Sequence, residues 1–543
     1  MKRRDFLLAS GLPLALAGCE KPPDIQGGFV GAAFERGHLL RKPQQSQSPA
    51  KTHRTRVLIA GGGVAGLAAA RALRLRGMND FALLELEDSA GGNSRAGSVN
   101  GVACPLGAHY LPVPDSSNLE ARHVQDLLEE LGLRRRVAGR WQYDEKVLCH
   151  SPQERLFING YWQDGLLPVQ EQSAQTLAQY AKFAQLVEQA AQAASFAIPV
   201  NNKSNMPMAP IIRALDAITF DEWLNQNNLT SPPLRWYLDY CCRDDYGAGS
   251  GVVSAWAGIH YFASRHGFSS PASPGTEPSQ ARDAGVLTWP QGNGWLTQAM
   301  AAPVGSALHT GRVVMRIANT RHGVEVDAIS VVSGQTERWL ADDCIVALPL
   351  FVAARVIENP PPALQRAASD ARYAPWLVAN IHIKAALHDR GGAAPSWDNV
   401  LYSGGSQLLA EGLGYVDASH QNLNSVPGST VLTHYRAFGI DAARRKNLYD
   451  QPWTHWRDTV LSEMSIAHPD LLGKTTRIDI MRYGHAMSVP LPGVRASAAL
   501  RALHQPQNTH PRLRFAHSDL SGYSVFEEAF THGHVQGSAV LRA

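Results

Sequence analysis

Cysteine is scarce, at six in 543 residues. So few crosslinks cannot hold a chain of this length, which excludes a disulfide scaffold. Charge of one sign is equally scarce: 50 Lys and Arg face 47 Asp and Glu, for a net +3. That balance gives no general case for nucleic acid as a partner. Neither C-x-x-C nor H-E-x-x-H occurs, so the usual zinc spacings are missing and no metal site is expected. The G-x-S-x-G nucleophile elbow is also missing, as is any repeat of solenoid length. No apolar run reaches the roughly 20 residues of a membrane-crossing helix. What remains is ordinary globular composition, 44% hydrophobic and 18% charged. The chain is too long for one compact core, and two domains are expected.

The first residues are an address label. Lys2-Arg3-Arg4-Asp5-Phe6 is followed by an apolar run from Leu7 to Ala17, then Gly18-Cys19. A basic start before a short apolar run reads as a signal peptide. The paired arginines before Asp-Phe-Leu resemble a twin-arginine export signal. Leu16-Ala17-Gly18-Cys19 resembles the lipobox of bacterial lipoproteins. These resemblances imply that residues 1–18 are removed after passage through the twin-arginine export machinery. Cys19 would carry a lipid, anchoring the protein to a bacterial membrane on its periplasmic side. The mature chain would then carry a net +1. Residues 19–53, rich in Pro, Gly, Gln and Ser, read as a tether.

A nucleotide site is the strongest internal signal. Arg56-Val57-Leu58-Ile59-Ala60 has the apolar run of a buried parallel strand. It leads into Gly61-Gly62-Gly63-Val64-Ala65-Gly66, which contains G-x-G-x-x-G. Gly61 permits the tight turn, Gly63 the approach of a pyrophosphate, and Gly66 the packing of helix on strand. The Ala-rich stretch from Leu67 to Arg76 continues as a helix whose start would bind phosphate. A second apolar run, Phe81 to Leu84, ends at Glu85, 24 residues after Gly61. That spacing suits a carboxylate on ribose hydroxyls and disfavours a 2′-phosphate. NAD and FAD share this fingerprint.

Further blocks separate them. The stretch from Leu83 to the glycine pair Gly91-Gly92 resembles the FAD-binding segment of the flavin amine oxidase and phytoene desaturase superfamily. Family members often have Arg directly after the pair. Here Asn93 follows, and Arg95 is the candidate for the pyrophosphate. Trp289 to Leu296 is similar to the family's glycine-containing turn before a helix. Val313-Val314-Met315-Arg316-Ile317 is similar to its adenine-contacting strand, with Val314 in register. Cys344 to Pro349 is similar to the strand that returns to the cofactor domain. Phe515-Ala516-His517-Ser518-Asp519 and Ser521-Gly522-Tyr523 resemble the last block, which implies Asp519 on the ribityl chain and a helix start from about Val525 at the flavin.

The resemblance implies an α/β fold: a discontinuous, GR2-type Rossmann-like FAD-binding domain with an inserted α+β substrate domain. The FAD domain would take residues 54–145, 285–360 and 481–543. The substrate domain would take 146–284, mostly helical, and 361–480. Non-covalent FAD is expected, since no cysteine falls in the last block. The implied activity is oxidation of an amine or related small molecule by hydride transfer to the flavin. Family amine oxidases often place a lysine near the flavin, but Ala379 or Asn380 stands in that register. The positions of a family aromatic pair hold Ala486 and Val525, and their neighbours His485 and Tyr523 are the candidate catalytic groups. Two alternatives remain open. One is a desaturase- or dehydrogenase-type enzyme passing electrons to a quinone or carrier. The other is a non-catalytic flavin-binding protein at the membrane.

Overall fold

The structure is a computed structural model that describes residues 24–41, 48–115, 118–200, 208–265, 267–271, 285–403, 411–421, 428–505 and 509–540. Two sheets organise it. The first has seven strands, with Lys51–Ala60 at its centre. Parallel partners flank that strand: Phe81–Leu84 on one side and Thr336–Val346 on the other. Residues Val57, Leu58, Ile59 and Ala60 are fully buried, as a parallel strand covered on both faces requires. Thr336–Val346 is long enough to take two partners in succession. Val324–Ser330 pairs antiparallel along its first part, and Leu513–Phe515 pairs parallel along its end.

The helix Val64–Leu75 is buried nearly all round. One side rests on the sheet and another on the C-terminal helix Phe526–Val540. The two helices touch backbone to backbone: a Cβ on Gly533 would lie 2.0 Å from the Ala65 carbonyl oxygen.

The second sheet has eight strands. At its centre Tyr373–Ile383, buried at every residue, pairs antiparallel with Thr430–Ala437 and with Thr475–Ser488. Helices Ala174–Ala193, Phe220–Gln226, Pro232–Tyr246 and Ala255–Ala263 pack on it through an aromatic core that includes Tyr180, Phe183, Phe220 and Tyr246. Among the described residues no helix is long and apolar enough to cross a membrane.

Three expected boundaries change. The central strand starts at Lys51, inside the 19–53 tether. Residues 26–30, placed in the tether, form a strand that pairs parallel with Thr475–Ser488 at the edge of the second sheet. The following turn is fastened to the first domain. Glu87 accepts the Ala33 N–H at 3.0 Å, and Arg36 donates to the Leu86 carbonyl at 3.0 Å. Thr475–Ser488 also runs past the 480/481 boundary, so the second sheet continues to Ser488. Cys19 and the signal lie outside the described residues.

Candidate active site

The strand Lys51–Ala60 delivers the chain to Gly61-Gly62-Gly63, and the helix begins at Val64. Gly61 has φ +104°, and a Cβ there would lie 2.3 Å from the Ala347 carbonyl oxygen. Only glycine makes this turn. A Cβ on Gly66 would come 1.9 Å from the Gly61 carbonyl oxygen. Gly63 differs: a Cβ there would enter open space, with only the Gly92 Cα within reach at 3.9 Å. That opening lies in front of the first helical turn, whose N–H groups have no partner within the helix. The result is a cradle shaped for phosphate.

Glu85 is buried and pinned. It accepts the Gly62 and Glu87 N–H groups, each at 2.8 Å. Burial pushes its carboxyl up, and these two N–H bonds oppose that shift. Gly62 lies outside the three fingerprint glycines. Its role is visible only here: a Cβ there would meet the Glu85 carboxylate at 2.7 Å. Gly91 and Gly92 take positive φ, +131° and +58°. The Gly91 N–H donates to the Gly62 carbonyl at 2.8 Å, which locks the second glycine pair against the first loop.

A cavity of about 480 Å³ runs along these residues. Gly61, Gly63, Glu85, Gly91, Gly92, Val314, Asp519 and His485 all line it. Asp519 is held firmly: Tyr373 donates its hydroxyl at 2.5 Å and Leu350 its N–H at 3.0 Å. Burial works to raise the Asp519 carboxyl, but the His517 charge and these hydrogen bonds hold it below its ordinary range. His485 packs on Phe351, with ring centres 4.7 Å apart. Burial lowers its imidazole to about 4, so it is neutral at neutral pH.

Two expectations fail. Arg95 is absent from the cavity wall. Its guanidinium lies 3.5 Å from Glu87 and donates to the Gly92 carbonyl at 3.2 Å. It braces the glycine pair and does not line the cavity. Tyr523 is fully buried and also outside the wall. It stands edge-on to Tyr246, Trp256 and His260, and its hydroxyl donates to Glu528 at 2.6 Å. It is a core residue and cannot reach a substrate. Tyr523→Phe is therefore expected to cost about 1 kcal/mol of stability and to leave the rate of flavin reduction at the native value. Thermal melting and anaerobic stopped flow check the two halves.

Residues missed in the sequence build the rest of the wall. Tyr110, Trp376, Val378 and Tyr435 supply apolar surface, and Asp244, Asp245, Arg265 and Glu527 supply charge. His109 stacks on Tyr435 with ring centres 4.4 Å apart. Asn380, the register candidate for a lysine, turns into the second sheet's core. It donates to the Pro105 carbonyl at 2.9 Å and accepts from Thr433 at 2.8 Å. Val378 reaches the wall instead, and among the described residues no lysine lines the cavity. The adjacent acids Asp244-Asp245, at the end of a helix that also carries Trp236, Tyr237, Tyr240 and Tyr246, were the available signal for this wall.

Known proteins share this fold. Residues 64–540 match the family of flavin containing amine oxidoreductases. An L-amino acid dehydrogenase of Synechocystis sp. is 30% identical over 152 residues, which is 28% of this chain and 29% of that protein. The match thus spans less than a third of that relative. Among solved structures, putrescine oxidase bound to putrescine superposes with a TM-score of 0.63 at 15% identity, over 91% of this chain and all of the other. Cyclohexylamine oxidase from Brevibacterium oxydans gives 0.63 at 16% identity, over 90% of this chain and 99% of that one. A fatty acid isomerase from P. acnes gives 0.61 at 16% identity, over 89% and 98%. The same fold therefore carries different reactions, and the sequence match decides between them: this chain belongs to the flavin containing amine oxidoreductase family.

Proposed function

We propose that this enzyme binds FAD non-covalently and oxidises an amine at the carbon beside its nitrogen. One observation carries the reading. A single cavity joins a phosphate cradle to a wall of aromatic and acidic side chains. The residues present fit the cofactor. The open space beside Gly63 and the first turn of Val64–Leu75 suit the pyrophosphate, Glu85 the ribose, the strand at Val314 the adenine, and Asp519 the ribityl chain. Bound FAD supplies a two-electron acceptor for hydride. None of the cysteines described lines the cavity, which supports non-covalent binding.

The chain's own groups do the rest. Tyr110, Trp376 and Tyr435 exclude water and offer ring faces to a cation. The acidic groups draw an ammonium in, and neutral His485 adds no positive charge against it. The test is an anaerobic screen of primary and secondary amines against the yellow holoenzyme. Bleaching by an amine supports the reading, and indifference to every amine sinks it. Air or a quinone is then offered to the reduced enzyme. Fast reoxidation by quinone alone would assign it to the dehydrogenase type, in keeping with the partial likeness to an L-amino acid dehydrogenase.

The export signal supports a location on the periplasmic side, with the lipid at Cys19. Twin-arginine export carries folded proteins, so FAD would be loaded beforehand. Cys19→Ser is expected to move the exported protein from the membrane to the soluble fraction. Continued membrane association would count against the anchor.

A further inference from the structure

Residues 31–41 belong to neither sheet. The chain leaves the second sheet at Val30 and is fixed again at Ala50, whose N–H donates to the Thr336 carbonyl at 2.9 Å. Between these points Phe34–His38 forms a five-residue helix and Leu39–Arg41 one further turn. None of residues 31–41 is buried. So short a helix has no stability of its own, and tertiary contacts must hold it.

Those contacts reach both halves of the molecule. On the second sheet's side, the Arg482 guanidinium lies 5.8 Å from the Phe34 ring, and Phe34 stands edge-on to Tyr449 with ring centres 5.4 Å apart. On the cofactor side the segment grips residues 85–88. Ala33 donates its N–H to Glu87 at 3.0 Å, and Arg36 donates to the Leu86 carbonyl at 3.0 Å and pairs with Asp88 at 2.9 Å. Glu87 carries the contact inward. Its N–H donates to Glu85, the acid at the cavity, and its carboxylate meets Arg95, which holds the Gly92 carbonyl. Leu40 lines the cavity and packs, with Leu348 and Val352, on a buried apolar cluster. Its carbonyl accepts from Arg355 at 2.6 Å.

This segment is therefore a piece of cavity wall fastened mainly by polar contacts at a partly exposed surface. Such fastenings open more readily than a packed core. Gly31, exposed and at φ +91°, stands where the segment leaves its strand and can act as a hinge. We propose that residues 31–41 are a latch on the cofactor cavity, which swings outward about Gly31 to admit or release FAD. This rests on the FAD-binding reading above and is independent of the substrate. The latch and the cofactor share residues 85–88, so each stabilises the other, and coupling of that kind is reciprocal. A fastened latch slows the loss of FAD, and bound FAD keeps the latch fastened.

Two measurements test this on the holoenzyme and the apoprotein prepared from it. The first is FAD exchange, followed by flavin fluorescence. Arg36→Ala removes the grip on residues 85–88, and Leu40→Ala thins the wall. Release of FAD from Arg36→Ala should be about tenfold faster, as loss of a charge-assisted hydrogen bond implies. Arg36→Lys keeps the charge and should fall between. Binding of FAD to the variant apoproteins should be faster too, because a latch obstructs entry as well as exit. The second measurement is limited trypsin digestion of the wild type. The cut after Arg36 should come at least about fivefold faster in the apoprotein than in the holoenzyme, and ahead of cuts elsewhere. Unchanged release in both variants would overturn the latch. Faster release with unchanged entry would reduce Arg36 and Leu40 to plain contacts and overturn it as well. So would equal cutting of the two forms, or cutting that quickens by one factor at every site. Should a variant fail to fold, as its melting temperature will show, the wild-type digestion decides. A chain that takes up no FAD would sink the cofactor reading and the latch with it. Failure of every amine to bleach bound flavin would leave the latch standing.

Discussion

Glu85→Ala is expected to yield protein nearly free of flavin. The carboxylate does two jobs at once. It lines the cavity where bound FAD would set its ribose, and it holds the Gly62 and Glu87 N–H groups at 2.8 Å. Hydrogen bonds to a charged acceptor contribute about 1.5–3 kcal/mol each. Losing two of them frees the loop whose shape makes the phosphate cradle, and losing the ribose contact adds to that. The combined effect is a fall in cofactor affinity of at least about a hundredfold, since 1.4 kcal/mol is a factor of ten. Visible absorbance per chain after purification, and titration of the apoprotein with FAD, measure it. Glu85→Gln keeps one acceptor oxygen and should retain an intermediate share. Full flavin content in Glu85→Ala would show that neither contact matters.

The second large effect lies outside the cavity. Glu528 is buried and accepts three hydrogen bonds, each at 2.6 Å: from Tyr523, from Ser521 and from the Val200 N–H. Ser521 also meets the His532 ring at 2.7 Å. One carboxylate thus ties a turn, the C-terminal helix and a loop of the helical region. Glu528→Ala leaves the Tyr523 hydroxyl and the Val200 N–H buried without their acceptor and takes one partner from Ser521. At about 1–3 kcal/mol for each orphaned group, the loss should be at least about 2 kcal/mol. That is a large share of the stability of an ordinary fold. Chemical denaturation followed by tryptophan emission will read it. Because the network supports the helix that carries Glu527, flavin binding should weaken as well. An unchanged midpoint would mean that water replaces the lost oxygens at no cost.

The cofactor cradle was legible in the sequence because its demands are local and steric. Gly61 and Gly66 touch each other within six residues, and such spacing survives in a linear reading. Asp519 was legible through its resemblance to a known block. Arg95 was not, because its direction is set by Glu87 and by Tyr483 from a distant strand. Tyr523 misled for a similar reason. Its block borders the cavity, and Ser524, Val525 and Phe526 do line it, but the turn at Gly522, with φ +85°, aims the tyrosine the other way. The acidic wall comes from three separated places in the chain. Asp244 and Asp245 end one helix, Arg265 follows the next, and Glu527 opens the last. No local pattern links them. The strand at residues 26–30 was invisible because its partner is almost at the other end of the chain, and a parallel pairing of that kind leaves no mark on nearby sequence.

That edge strand alters the picture of an anchored enzyme. With a lipid on Cys19, only six steps of chain separate the anchor from Ile25, which is already buried. Even drawn taut, six residues reach about 20 Å. The leash is shorter than the body it holds. An enzyme so moored cannot swing freely above the bilayer. It must keep the margin of its second sheet turned toward the lipid surface.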